Sequence, residues 1–186
     1  PQESVEAISP GLDTLGVMLP YSPMHHLLFG HTEEAVLVMT SANPTGLPMY
    51  IEPGTIVKKL HGIADWFALH NRRISQRLDD SVVKFVMDPH PVLIRRARGY
   101  APESVRLPWP WRSAEVVAVG PEEKITGAVM KSGTIYQTQH IGDGDRVETI
   151  DFLSETLMHL KHLVGLDNEE AIACDLHPEF LTTELA

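Results

Sequence analysis

With 186 residues, 43% of them hydrophobic and 22% charged, the chain is long enough for one or two packed domains and has an ordinary globular composition. No apolar run approaches the ~20 residues of a membrane helix, which excludes a helical membrane span and sets the expectation of no membrane partner. The net charge of −10 is unevenly divided: residues 1–57 carry six acids and no Lys or Arg, residues 58–112 eleven Lys/Arg against five acids, and residues 113–186 four against fourteen.

A general nucleic-acid binder spreads its basic residues over a face. One basic block inside an acidic chain suits a local anion such as a nucleotide, or a solvated surface, so nucleic acid is not the expected partner. The lone Cys174 excludes an intrachain disulfide and fits a reducing cytoplasm. The first 20 residues hold no Lys, no Arg and no long apolar core, so no signal peptide is expected. The start at Pro1 and the stop at Ala186 inside a helical pattern read as a piece of something longer.

In chain order, LGVML (15–19) is expected to be a short strand. Ser22-Pro23 predicts the cap and first position of a helix over MHHLLF, because proline there loses no needed N–H. AVLVM (35–39) is expected to be a buried strand. EPGTIVKKLHG predicts a helix ending at Gly62, the usual place for a left-handed residue. ADWFALH (64–70) is expected to be a strand, and the runs around Asp88-Pro89-His90-Pro91 a hairpin-like pair. YAPESVRLPWPWRS (100–113), with its prolines and tryptophans and no periodicity, is the best linker candidate. Beyond it, AEVVAVG predicts a strand and ITGAVMKSGTIYQTQHIGD a hairpin about Lys131-Ser132-Gly133. Ile150, Leu153, Leu157, Leu160 and Leu163/Val164 recur at the spacing of one amphipathic helix. AIACDL predicts a buried strand, and Pro178 the start of a further helix. This is an α/β order.

Three stretches carry groups suited to chemistry. Thr40-Ser41-Ala42-Asn43-Pro44-Thr45-Gly46 follows an apolar run, and its hydroxyls, amide and successive N–H groups suit phosphate or ribose. A capped turn would use the same residues. RLDDSVVKF again sets a hydroxyl, Ser81, at a strand start, behind Asp79 and Asp80. IRRARG supplies Arg95, Arg96 and Arg98, whose guanidinium forks match phosphate geometry; a charged strand edge is the alternative. Alternation along a strand sends Arg95 and Arg96 to opposite faces, so only one of them should meet a given ligand.

LPYSPMHHLLF, MTSANPTGLP, RLDDSVV, RRARGYAP, TQHIGD and CDLHPEF occur here in the order found in the HypF family of hydrogenase-maturation carbamoyltransferases, which the chain resembles over nearly its whole length. The resemblance implies an α/β chain: a partial YrdC-like twisted mixed sheet, followed by the truncated opening β-β-β-α-β of an actin-like, RNase H-like domain. It divides the chain into the C-terminal part of a YrdC-like adenylate-forming domain (1–105), a linker (106–113) and the start of an actin-like ATPase/carbamoyltransferase domain (114–186). It further implies that the full protein makes carbamoyl-AMP from carbamoyl phosphate and ATP. The carbamoyl group then passes to the C-terminal cysteine of the partner HypE, for the cyanide ligand of a [NiFe] centre. By likeness to the wider YrdC group, Thr40, Ser41, Asn43, Ser81 and Arg95 would line the adenylate site, with ATP and Mg2+ as cofactors.

Zinc and a further metal would belong only to parts of the family's chain outside this one. The family's Lys/Arg pair near the start of the YrdC-like domain has no counterpart in residues 1–57, so this chain alone is expected to be inactive. GPEEKITGAVM also departs from the family's glycine-glycine-x-leucine-lysine-asparagine-threonine run, which puts the first phosphate contact of the second domain in doubt.

The histidines offer no metal set. His25 and His26 are adjacent, which on a helix points them ~100° apart. His159 and His162 have i, i+3 spacing but read more simply as helix-surface residues, and His140 and His177 lack a third partner. Cys174 is expected to be a small core residue. The rival readings are a YrdC-type RNA-binding module, raised by the basic block, and a piece of a tRNA threonylcarbamoyl-AMP synthase, opposed by RRARGYAP and the second segment.

Overall fold

The computed structural model describes residues 6–86, 89–108 and 114–186. It divides into two compact units, 1–40 and 41–186. The first unit contains helix α1 (Pro23–Gly30), begun as the sequence predicts: Pro23 is its first residue, and the Ser22 hydroxyl accepts from the His25 N–H at 3.3 Å. The runs 15–19 and 35–39 do not form the expected strands. Val36 and Val38 are 79% and 76% exposed, so 35–39 is not buried either. A strand exists only where a neighbour takes its N–H and C=O groups, and among the described residues nothing pairs with these runs. Their apolar character shows that they suit burial, not that burial occurs.

The second unit opens with the loop 41–52 and helix α2 (Pro53–Leu60), after which Gly62 takes φ +84°, as predicted. Residues 64–70 are not a strand, and Trp66 is 92% exposed. Strands β1 (Val82–Lys84) and β2 (Val92–Arg95) form the predicted antiparallel pair. Met87 and Asp88, between the two strands in the sequence, lie outside the described residues.

Strand β3 (Ser104–Arg106) follows, inside the run whose lack of periodicity had suggested a linker. Three residues are too few for a pattern to be read. Residues 109–113 of that run lie outside the described residues.

Strands β4 (Val116–Gly120), β5 (Ala128–Lys131) and β6 (Thr134–Gln137), helix α3 (Val147–Val164), strand β7 (Ala171–Cys174) and helix α4 (Leu181–Leu185) complete the chain. The expected β-β-β-α-β succession is therefore β4-β5-β6-α3-β7. One five-stranded sheet has the order β3-β6-β5-β4-β7, antiparallel except where β7 lies parallel to β4. The β5–β6 turn places Ser132 and Gly133 at φ +52° and +72°, the pair of left-handed residues that a two-residue hairpin needs.

Helix α3 buries Phe152, Leu153, Leu157 and Leu160 against Val117, Val119, Ile125, Val129 and Ile141. Gly127 permits that approach, because a Cβ there would stand 2.8 Å from Leu157 Cδ2 and 3.1 Å from Leu153 Cδ1. α3 ends at Gly165, φ +67°, with the Leu166 N–H donating to the Lys161 carbonyl. Two expectations fail beyond it. Helix α4 begins at Leu181 rather than Pro178. Strand β7 is exposed at all four positions, and Cys174 with it, because β7 is the outer strand and α4 packs on α3 and β4 instead.

Besides the β3–β6 pairing, the second half of the chain is tied to the first by polar contacts centred on one side chain. Gln139 is buried; its Oε1 accepts from the Asp79 N–H at 2.9 Å, and its Nε2 donates to the Arg77 carbonyl. The His140 N–H donates to the Arg96 carbonyl at 2.8 Å. Arg77 adds bonds from Nε to the Met49 carbonyl at 2.8 Å and from Nη1 to Glu155 of α3 at 2.6 Å, and its guanidinium lies over the Phe152 ring at 5.1 Å. A buried polar group left unpaired costs ~1–3 kcal/mol. Gln139→Leu strands both the Asp79 N–H and the Arg77 carbonyl, so it should lower stability by ~2–4 kcal/mol in denaturant unfolding. Gln139→Glu, which sets a buried carboxylate against the Arg77 carbonyl, should cost at least as much. A change below ~0.5 kcal/mol, the level of an ordinary surface substitution, would refute this weight.

Candidate functional site

The loop after Thr40 is shaped by Asn43. Its Nδ2 donates to the carbonyls of Pro44 at 3.1 Å and Leu47 at 2.7 Å, and its N–H donates to the Ser41 carbonyl at 3.0 Å. Two carbonyl acceptors on the amide nitrogen fix which way the carboxamide points. The oxygen, Oδ1, is buried and has no donor. Gly46, at φ +77°, closes the turn. The asparagine therefore does what a capped turn requires and still leaves one acceptor unused.

The segment 79–81 supplies the second wall. Asp79 accepts from the Asp80 N–H on one carboxylate oxygen and from Arg95 Nη1, at 2.8 Å, on the other. This ion pair is partly open, with the Arg95 side chain 41% exposed. The Ser81 hydroxyl donates to the Arg98 carbonyl at 2.8 Å and accepts from the Ala97 N–H at 2.9 Å, clasping the start of β1 to the residues that follow β2. Arg96 turns to Glu103, and Arg98 pairs with Asp80. The three arginine side chains thus have different partners, and of them only that of Arg95 pairs with the Asp79 carboxylate.

The third wall comes from the TQHIGD stretch. His140 is half-buried, and its ring makes no hydrogen bond within the described residues. Burial, and after it the charge of Arg95, push its pKa below the ordinary histidine range, so the ring is neutral at pH 7. Below it, Asp143 binds the Lys124 ammonium through both oxygens and also accepts the Lys124 N–H. Those bonds hold the Asp143 carboxyl below its usual range and raise the lysine. Both groups are exposed, so the pair adds little stability. It does engage the only lysine of the GPEEKITG loop.

Together these walls line a partly open cavity of about 60 Å³, with Ser41, Asn43, Met49, Asp79, His140 and Phe152 among its residues. Of the residues expected from sequence, Ser41 and Asn43 line it, and Arg95 reaches its wall through Asp79. Ser81 does not line it; its hydroxyl is spent on the backbone of 97–98. Thr40 closes the first unit and is exposed. Asp79, Gln139 and His140 were not foreseen as one group. RLDD and TQHIGD each stood out as motifs, but nothing along the chain shows that residues 60 apart in sequence share a hydrogen bond.

A larger cavity of about 310 Å³, between Glu52, Arg73, Arg77, Glu155 and their neighbours, contains none of the expected site residues. Among the described residues no three His, Cys, Asp or Glu side chains come together as a metal site, His159 and His162 included, and no helix is long and apolar enough to cross a membrane.

Two family models match the chain. Sua5/YciO/YrdC, described as "Telomere recombination", covers residues 1–97, and the HypF Kae1-like domain covers 112–186. A Methanocaldococcus jannaschii protein named "Probable carbamoyltransferase HypF" is 47% identical over 94% of this chain and 22% of its own length. The carbamoyltransferase HypF of Rhizobium leguminosarum bv. viciae is 41% identical over 96% of this chain and 24% of its own. A crystal structure of full-length HypF in the phosphate- and nucleotide-bound form matches with a TM-score of 0.86 at 39% identity, over 94% of this chain and 27% of that one. T. kodakarensis HypF matches with a TM-score of 0.88 at 40% identity, over 97% of this chain and 23% of that one. The chain thus spans about a quarter of the length of the relatives it matches. With a Sua5/YciO/YrdC portion followed by a HypF Kae1-like portion, it belongs to the HypF family.

Proposed function

We propose that this chain is part of a cytoplasmic carbamoyltransferase that forms carbamoyl-AMP from carbamoyl phosphate and ATP and passes the carbamoyl group to the C-terminal cysteine of HypE. The observation that carries the proposal is the likeness, at a TM-score of 0.86, to full-length HypF in its phosphate- and nucleotide-bound form. The names of the relatives, all carbamoyltransferases, give the group transferred. Residues 1–105 would serve the adenylation and 114–186 would open the domain that follows, with 106–113 between them.

The adenylate would lie along Thr40, Ser41, Asn43, Ser81 and Arg95. In that role Arg95 is the fork for phosphate: Asp79 holds Nη1 in place, and the side chain is partly exposed. Ser81 acts at one remove, by fixing the backbone beside Arg95. Preorganised donors of this kind supply much of what phosphoryl transfer needs. Mg2+ would come with ATP. By the family resemblance, zinc and any further metal would belong to other parts of the full protein. The RNA-binding reading is the weaker one, because the basic residues form one block inside an acidic chain.

Two outcomes test the assignment. In the full-length enzyme, Arg95→Gln should weaken carbamoyl-phosphate-dependent ATP–pyrophosphate exchange ~10- to 100-fold, the worth of one or two charge-assisted bonds. Because the Arg95–Asp79 pair is half-exposed, the same change should alter stability by less than ~1 kcal/mol. Full exchange with Arg95→Gln would remove it from the site. The 186-residue chain by itself, with no Lys or Arg before Lys58, should show only background exchange, and robust turnover by the isolated chain would contradict the proposal.

A further inference from the structure

We infer that Arg146, which belongs to the HypF Kae1-like portion, is a phosphate-binding residue that reaches across to the turn at Gly46 in the Sua5/YciO/YrdC portion. The inference rests on the function proposed above and adds to it a cation from the other portion of the chain. Two observations carry it.

The first is an unspent charge. Residues 113–186 hold four Lys/Arg against fourteen acids, so a cation there has many carboxylates to choose from. Three of the four are engaged: Lys124 by Asp143, Lys161 by Glu169 and Lys131 by the Gly165 carbonyl. The Arg146 guanidinium has no ion pair and no hydrogen bond among the described residues. It does not serve α3 either, for although Arg146 is the residue before Val147, its side chain makes no cap bond. All its N–H donors are kept for another acceptor.

The second is where that charge stands. A Cβ built on Gly46 would lie 3.4 Å from Arg146 Nε and 3.8 Å from Nη2, so the guanidinium rests against the turn. At the same turn the N–H groups of Thr45 and Gly46 and the Thr45 hydroxyl are exposed and donate to nothing among the described residues. Donors and a positive charge meet at one point, and a phosphate brings the acceptors and the negative charge that match them, with a geometry the guanidinium fork can meet bidentately. Residues 1–57 hold no Lys or Arg, so within them the loop has no cation of its own. Neither Thr45, Gly46 nor Arg146 lines the cavity of about 60 Å³.

The phosphate could be that of ATP or that of carbamoyl phosphate, and kinetics separate the two. In the full-length enzyme, Arg146→Gln should raise the KM for one of these substrates about tenfold in ATP–pyrophosphate exchange, the worth of one charge-assisted bond, and leave kcat nearly unchanged. A rise for ATP places the residue on the nucleotide, and a rise for carbamoyl phosphate places it on the acyl phosphate. Arg146→Lys keeps the charge without the fork and should recover part of the loss. Arg106→Gln removes an exposed arginine of β3, changes the net charge equally and should leave both KM values as they are. Unchanged KM for both substrates in Arg146→Gln, or the same rise in Arg106→Gln, would overturn the inference. If the wild-type enzyme shows no carbamoyl-phosphate-dependent exchange, the proposed function falls and Arg146 is read separately, with inorganic triphosphate and the 186-residue chain. The Thr45 and Gly46 amide signals should then shift saturably in NMR spectra, with affinity about tenfold weaker in Arg146→Gln. Equal affinity in the variant would refute the assignment of Arg146 by itself.

Discussion

The organisation of residues 41–186 depends on a buried glutamine that behaves like a piece of backbone. Gln139 offers one acceptor and one donor to the Asp79 N–H and the Arg77 carbonyl, the pair of groups that a neighbouring strand would satisfy. Where an adjacent strand would need several residues in register, a single amide side chain closes the ladder. Its neighbour His140 repeats the contact on the other side, through the Arg96 carbonyl. Segments 77–79 and 96–98, which carry the ion pairs and the Ser81 clasp, are thereby fixed against a sheet whose core is built by α3. Arg77 extends the same connection to α3 through Glu155 and Phe152. The boundary between the two family portions is consequently crossed by the polar network.

This arrangement gives a reason for the polar residues that follow Thr40. Asn43 alone satisfies its loop, yet it leaves an acceptor buried and unmatched, which in an ordinary turn is a cost without return. Beside it stand a carboxylate already neutralised by an arginine and a neutral imidazole. Ser41 and Asn43 thus stand in one cavity with the Asp79 carboxylate and the His140 ring.

Much of the chain could be read in advance where local chemistry decides the outcome. The Ser22-Pro23 start of α1, the Gly62 and Gly165 helix ends, the Ser132-Gly133 turn and the apolar stripe of α3 are each set by residues within a few positions of one another. Prediction failed where the outcome depends on a neighbour. The runs 15–19, 35–39 and 64–70 have strand character and no strand beside them. Cys174 sits in an apolar strand that happens to be the outer one. β3 looked like linker because three residues carry no periodicity, and its partner β6 lies about 30 positions further on. The site divided in the same way. Ser41 and Asn43 were legible as a polar turn after an apolar run, and Arg95 as a fork. The convergence of Asp79, Gln139 and His140 rests on contacts across 60 residues and left no mark in either stretch.

The central claim is that the β1–β2 pair and its flanking residues 77–81 and 96–98 form one cooperative structure with the sheet and α3. Native-state hydrogen exchange at increasing denaturant tests it most directly. The account predicts that the Ala97 and Arg98 amides, bonded to Ser81 and Asp79, open with the same free energy and the same denaturant dependence as the Val129 and Ile135 amides of the β5–β6 pair. If the 96–98 amides instead exchange through a small opening, insensitive to denaturant, while β5 and β6 stay protected, the glutamine contact does not unite the two portions and the account is wrong.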